Sequence, residues 1–465
     1  MVRFRKSVEL IITRLKDAIS IFELSYATTM SSNKVNIFWF RRDLRLDDNV
    51  GFLEALKGDL PVLPIFIFDK EILDKLPKDD ARVTFIFETL QKMRSTLQDE
   101  HDSSLAMYYD TPEEVFTQLS KDYEIATVFT NRDYEPYAKE RDEAITSLLE
   151  ENDIEFKTFK DQVIFEKDEV VKGDGDPYVV YTPFKNKWKE RFDADKDLTI
   201  HYTSQHLNNL IEHSRLPNLS LSDMGFKKSS IEVPEYDVTP TLIQNYEDTR
   251  NFPAQDGTSH LGPHLRFGTV SVRKMMKKAI AETNEIFWSE LIWREFFMQI
   301  LYHFPHTKDK AFRSKYDRID WRNNEEEFEK WKNGETGYLL VDAGMRELNT
   351  TGYMHNRVRM LVASFLCKHL LIDWRWGETY FAEKLLDYDM SSNVGNWQWA
   401  AGSGVDAAPY FRIFNPMTQV DKFDKQKEYI SKWIPEHDTD KYPEKMVDHK
   451  EARERCLKTY KEAVA

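Results

Sequence analysis

The chain has 465 residues, more than one hydrophobic core organises comfortably, and its 41% hydrophobic and 31% charged residues are ordinary for a globular protein. A formal net charge of -15 excludes a protein coated with nucleic acid, but leaves room for a local basic groove. Two cysteines without CxxC spacing, Cys367 and Cys456, exclude a disulfide framework and a thiolate zinc site, and no apolar run reaches the ~18 residues of a membrane span, so an intracellular, cytoplasmic protein is expected.

Residues 1–32 form an N-terminal extension that reads as a short amphipathic helix, with Met30 standing just before the first strand pattern. From 33 to 165, β-rich runs ("VNIFWF", "LPVLPIFIF", "SLAMYYD", "IATVFTN", "EFKTF") alternate with amphipathic stretches such as "ARVTFIFETLQKMRSTLQ" and "PEEVFTQLSKDY". That alternation predicts a Rossmann-like α/β domain with a mainly parallel sheet covered by helices. Neither GxGxxG nor GxxxxGK[ST] occurs in it, so it carries no phosphate-cradling motif. Residues 166–235 are broken by Gly, Pro, Asp and Ser and read as a long interdomain linker. Residues 236–465 are dominated by helical patterns, and "NEIFWSELIWREFFMQILYHF" is apolar nearly all round, as a buried helix would be.

Common catalytic signatures are missing: "AGSGV" lacks the GxSxG spacing, and there is no HExxH. His260 and His264 stand four apart, but Gly262 and Pro263 between them disfavour one regular helix and no third ligand is near, so no metal is expected. "DGTSHLGPHLRFGTVSVRKMMKKAI" places hydroxyls and free backbone N–H groups before a basic helix, which suits a phosphate or equally an ordinary capped surface helix. "GYMHNRVRMLVASFL" sets Asn356, Arg357, Arg359 and Met360 on an apolar helix, and "LLDYDMSSN" offers Asp387 and Asp389 as carboxylate partners for buried arginines.

Taken together, "FWFRRDLRLDDN", "DGTSHL", "ELIWREFF", "TGYLLVDAGMRELNTTGYMHNRVRMLVASFL", "LLIDWRWGE" and "NWQWAAGSGVDAAPYFRIFNP" resemble the photolyase/cryptochrome flavoproteins, in family order over residues 35–435. Within that family they look most like class I cyclobutane pyrimidine dimer photolyases. The resemblance implies an α/β antenna domain followed by an all-α domain that holds FAD. Tyr246, Thr258, Ser259, His260, Leu261 and Gly262 would hold the FAD phosphates, with Gly262 standing where a serine is common. Arg359 would pair with Asp387, with Tyr388 beside it, while Asp389 would face the polar edge of the flavin and Asn393 its N5.

The same resemblance implies light-driven repair of pyrimidine dimers in single- or double-stranded DNA by electron transfer from reduced FAD to a dimer flipped out of the stack. Photolyases are among the enzymes for which such flipping is the general expectation. Trp293 and Trp399 would wall the lesion with Met360 beside them, and Glu290 and Asn356 would hydrogen-bond its bases. Arg250, Arg294, Arg357, Arg412 and Gln419, with Glu290, Trp293 and Asn356, would form the DNA-binding face, extended by "HTKDKAFRSKYDR". Trp397, Trp374 and Trp321 match the family's electron-transfer triad. Asn131 and Glu135 lie where an antenna chromophore would be contacted, whether methenyltetrahydrofolate, a deazaflavin or a second flavin.

Two other functions fit the same motifs: a cryptochrome-type blue-light photoreceptor without repair activity, and a light-independent binder of damaged DNA. Beyond residue 435 only a short charged helical stretch follows, which is thin for a signalling tail, so a monomeric repair enzyme is the expectation.

Overall fold

A computed structural model describes residues 34–465; the predicted N-terminal extension lies outside the described residues. Five parallel strands form one sheet in the order β3-β2-β1-β4-β5: β1 Lys34–Phe40, β2 Val62–Asp69, β3 Ala106–Asp110, β4 Glu124–Asn131 and β5 Glu155–Phe159. Their registers, such as Ile37 opposite Leu63 and Val128, stack apolar residues on both faces. This is the composition of strands covered on both sides.

Helices Val50–Leu56, Ala81–His101, Pro112–Asp122 and Pro136–Glu150 are the crossovers. Each begins on a local signal: Asn49, Asp80 and Thr111 accept a backbone N–H as caps, and Pro112 and Pro136 occupy the first turn. One core lies on each face of the sheet, one around Phe52, Leu90 and Met107, the other around Trp39, Phe116 and Val128.

The predicted linker is not structureless. Helix Tyr181–Arg191 buries Tyr181, Phe184 and Trp188, a stripe at helical spacing, against the long helix Glu285–His303. Glu295 fastens this packing, accepting Trp188 Nε1 at 2.6 Å and the backbone N–H of Ile164 and Phe165. Burial pushes the Glu295 carboxyl up to about 6 despite those donors.

The helical region then folds around Glu285–His303, Leu339–Thr351, Asn356–Ser364, Trp374–Lys384 and Met390–Ala401. The third of these continues as a π-helical turn, Phe365–Leu370. Among the described residues no helix is long and apolar enough to cross a membrane.

The two regions are locked by buried ions. Arg273, in the basic helix read as either a phosphate site or a capped surface helix, is 5% exposed and reaches Asp48 at 3.0 Å and Asp161 at 2.8 Å in the α/β domain. Arg45 also pairs with Asp161, at 2.6 Å. Removing one partner of such a set would leave an uncompensated buried charge.

Candidate active site

A cavity of about 340 Å³ opens among the helices of the C-terminal region. One wall is the stretch Thr258, Ser259, His260, Leu261 and Gly262, with Tyr246 beside it. Thr258 Oγ1 lies 3.1 Å from the Tyr353 hydroxyl, and His260 takes a left-handed backbone, φ 49°. The His260 ring stands 4.9 Å from that of Tyr353, and its buried Nδ1 has no protein partner. Gly262 has no room for a side chain: a Cβ there would meet Asp387 Oδ2 at 2.8 Å and Asp387 Cβ at 2.9 Å. His264, the other histidine of the stretch, is satisfied by Thr269 Oγ1 and the Pro234 carbonyl, both at 2.9 Å.

Next to Gly262, Arg359 grips Asp387 with two parallel hydrogen bonds of 3.1 and 2.9 Å and donates Nε to the Met354 carbonyl at 2.6 Å. Burial opposes the Arg359 charge, and Asp387 more than restores it, raising the guanidinium above its ordinary value. Asn393 sits on the wall with its Nδ2 donated to the Glu378 carboxylate at 3.0 Å and the Glu378 carbonyl at 3.1 Å. Burial raises the Glu378 carboxyl. Tyr388 lines the same wall, and burial beside Glu378 raises its phenol.

Asp389 caps helix Met390–Ala401 through Ser392 N at 3.2 Å and turns its other oxygen to Arg42 of the α/β domain at 2.6 Å. Burial works against ionisation of Asp389, but Arg42, Arg266 and Arg294 overcome it and hold the carboxyl well below the usual range. One helix therefore presents Asn393, Trp397 and Trp399 to the cavity from a cap tied to the other domain.

The cavity mouth gathers Glu290, Asn356, Met360 and Trp399. Glu290 accepts a hydrogen bond from Arg250, which ends helix Pro240–Thr249. Trp293 is not on the cavity wall: its ring stacks on Tyr181 at 3.5 Å and on Phe297 at 5.5 Å. Arg357 donates to Asn251 Oδ1 at 2.5 Å and lies 4.5 Å over the Phe423 ring. Arg412 is exposed and Gln419 half-buried, outside the cavity on the segment that follows helix Met390–Ala401.

Three expectations are corrected. Arg294, expected on the DNA face, instead lines the cavity and donates to the carbonyls of Gln162 at 2.7 Å and Leu265 at 3.5 Å. Asn131, expected to touch an antenna, is 3% exposed and fully engaged: it accepts Gly51 N at 2.9 Å and donates to Asp43 and Asn49. Glu135 is turned to Arg42 at 3.1 Å and Arg266 at 2.6 Å. Asn131 thus ties together segments within the α/β domain, and Glu135 sits at the junction with the helical region.

Trp397 is 2% exposed, on the cavity wall, and edge-on to Phe381 at 5.0 Å. Trp374 shares its hydrophobic core and is equally buried; half-buried Trp321 packs on the outside of that core. Tight packing fixes the first ring: a Cβ at Gly377 would lie 2.1 Å from Trp397.

Arg42, Arg266, Tyr353, Glu378 and Lys368 were not among the predicted site residues. Lys368 lies in the π-helical turn, 1% exposed, with Nζ on the carbonyls of Ala401 at 2.9 Å and Tyr410 at 3.2 Å. It clamps both ends of the loop that joins Trp399 to Arg412. Burial lowers its ammonium to about 8.

A family model described as "DNA photolyase" matches residues 36–201, and one described as "FAD binding domain of DNA photolyase" matches residues 287–441. A deoxyribodipyrimidine photo-lyase of Halobacterium salinarum is 34% identical over 92% of this chain and 99% of its own length. The chain belongs to the DNA photolyase family. The structure of a class III photolyase from Agrobacterium tumefaciens superposes with a TM-score of 0.83 at 33% identity, covering 92% of this chain and 98% of that one. An archaeal photolyase from Sulfolobus tokodaii, solved with two FAD molecules, superposes at 0.78 with 36% identity over 92% of this chain and 99% of that one. The photolyase fold and an FAD site in the helical domain follow. The first family model runs to residue 201, past the predicted domain boundary at 165 and over helix Tyr181–Arg191.

The cavity fits that cofactor. Hydroxyls and the unpartnered His260 Nδ1 on one side suit a pyrophosphate, and Arg359, Asp389 and Asn393 offer the polar contacts an isoalloxazine edge requires.

Proposed function

We propose that the protein is a deoxyribodipyrimidine photolyase that repairs cyclobutane pyrimidine dimers, acting as a monomer in the cytoplasm. The convergence of Glu290, Asn356, Met360 and Trp399 on the mouth of the cavity that takes FAD carries this reading. FAD bound there, in its reduced state, supplies the electron on absorbing blue light and takes it back after ring splitting.

The residues of the chain bind and orient. Trp399 and Met360 give the flipped dimer an apolar face, which displaces water and repays part of the cost of unstacking. Asn356, exposed at the start of its helix, donates and accepts at the base edges. Glu290 brings an acceptor to the base N–H groups. Arg250, hydrogen-bonded to Glu290, lets a carboxylate stand at the mouth without repelling a phosphodiester. Arg412, Arg357 and Gln419 hold the backbone without reading sequence. Trp397, Trp374 and Trp321 provide a route from the cavity wall to the outside of the core, along which oxidised FAD is reduced by light.

The test is blue-light turnover. Reduced, FAD-loaded protein is incubated with dimer-containing oligonucleotides and thymine recovery is followed. Repair is expected in single- and double-stranded DNA, and Glu290→Ala should repair poorly while retaining FAD. A FAD-loaded protein that binds the dimer without repairing it would leave a damage binder; one that neither binds nor repairs would leave a photoreceptor.

A further inference from the structure

We propose that Arg42, supplied by the α/β domain, is a positioning residue for the photochemistry: it neutralises the carboxylate at the floor of the cofactor cavity and thereby sets the reduction potential of the FAD bound there. The inference rests on FAD occupying that cavity.

Arg42 follows β1, and 347 residues separate it from Asp389, which its Nη2 meets at 2.6 Å. The same guanidinium donates Nη1 to Asp133 at 3.0 Å and Glu135 at 3.1 Å, and Nε to the Arg266 carbonyl at 3.2 Å. Its side chain is 9% exposed, as is that of Asp389, and Asp133 is 8% exposed. The site is therefore a dry junction in which each charge is felt strongly.

Several cations share this junction: Arg42, Arg266 and Arg294 face Asp389, while Arg42, Arg266, Arg41 and Arg141 face Asp133. The cations are not interchangeable, however. Arg266 lies 2.6 Å from Glu135 but 3.5 Å from Asp389, and the two hydrogen bonds of Arg294 go to carbonyls. Among the described residues Arg42 alone makes an ion pair shorter than 3.5 Å with Asp389, one of the carboxylates that line the cavity.

Removing the Arg42 charge takes away the positive charge closest to Asp389, beside the isoalloxazine. Adding electrons to the flavin then becomes harder, so its potential shifts negative. Removing the Asp133 charge does the opposite. Asp133 touches Arg42 and not the cavity, so its effect reaches the flavin only through this junction. A role confined to clamping the domains would not give shifts of opposite sign.

The experiment is spectroelectrochemical titration of FAD-loaded wild type, Arg42→Gln, Arg42→Lys and Asp133→Asn, with Arg273→Lys as a control for domain docking. Arg273 joins the same domains through Asp48 and Asp161 and does not touch Asp389. The expected result is a negative shift in Arg42→Gln, a positive shift in Asp133→Asn, and values near wild type in Arg42→Lys and Arg273→Lys. Equal potentials in all variants, or shifts of the same sign in Arg42→Gln and Arg273→Lys, overturn the inference. Should Arg42→Gln fail to hold flavin, the Asp133→Asn shift decides alone. A wild type that purifies and reconstitutes without FAD refutes the cofactor reading itself, and that is seen before any variant is compared.

Discussion

Mild acid should destabilise this protein through His355. That residue opens the helix carrying Asn356, Arg357, Arg359 and Met360, and its Nδ1 accepts the Arg357 N–H at 3.2 Å as the helix cap. A cap of this kind works only while Nδ1 is unprotonated. The ring is 4% exposed, and its Nε2 is buried without a partner. Burial first, then the neighbouring Arg359, Arg357 and Arg250, lower the imidazole from 6.5 to about 4. On the acidic side, Glu347 accepts the His355 backbone N–H at 3.3 Å but is itself engaged by Tyr429 at 2.6 Å.

The direction of the effect follows. Between pH 6.5 and 4 the unfolded chain binds a proton that the folded one refuses, so stability falls as the pH is lowered through that window. The gap from 6.5 to about 4 is worth roughly 3 kcal/mol in full at ~1.4 kcal/mol per tenfold change in proton affinity. About 2 kcal/mol of it is lost between pH 7 and pH 5. Urea unfolding of FAD-loaded wild type and His355→Asn at the two pH values measures it. Asparagine caps a helix without titrating, so the variant should lose about 2 kcal/mol less than the wild type on acidification. His369, lowered by burial to about 3 beside His449, contributes equally to both proteins and cancels. If both lose the same stability, His355 is not the titrating group and the account of the cap is wrong.

Three substitutions test the cavity. Asp387→Ala strands Arg359, whose side chain is 23% exposed, and should cost roughly 3 kcal/mol or more in urea unfolding, with loss of FAD on gel filtration. Trp397→Phe should remove most light-driven reduction of oxidised FAD while sparing repair by chemically reduced enzyme, and transient absorption reads both. Trp399→Ala should weaken binding of dimer-containing DNA by about 1–3 kcal/mol, the usual worth of one base stacked on an aromatic ring, with FAD content unchanged.

Local pattern carried the α/β domain far. The five strands were readable because each is a short β-rich run bounded by turn residues, and the predicted helix from Ala81 begins where Asp80 caps it. The order of the strands was not readable, because it depends on which crossovers lie on which face. Helix Tyr181–Arg191 was missed although Tyr181, Phe184 and Trp188 mark one face: glycines and aspartates before it dominated the stretch, and charged residues surround the stripe. Family motifs placed Tyr246, Thr258 to Gly262, Arg359, Asp387 to Asp389 and Asn393 around one cavity, where composition alone would have left each as a capped helix or a structural ion pair.

The misplaced residues share a cause. Asn131, Glu135 and Arg294 all have polar side chains in informative segments, and a sequence cannot show that their partners are already supplied from far along the chain. Asn131 meets Asp43 across 88 residues, and Glu135 meets Arg266 across 131. The Arg42–Asp389 bond crosses 347 and joins two motifs, "FRRDLR" and "DYDMSSN", that look independent. Similarly, Trp397 and Trp399 stand two residues apart on one helix, yet only the core packing separates them. Trp397 is sealed between Phe381 and Trp331, whereas Trp399 stays half-buried at the mouth. Because Asp389 caps that helix and Arg42 holds Asp389, the orientation of both indoles is tied to the α/β domain. The residues lining the cavity all come from the helical region, and the α/β domain bears on it through the Arg42–Asp389 bond.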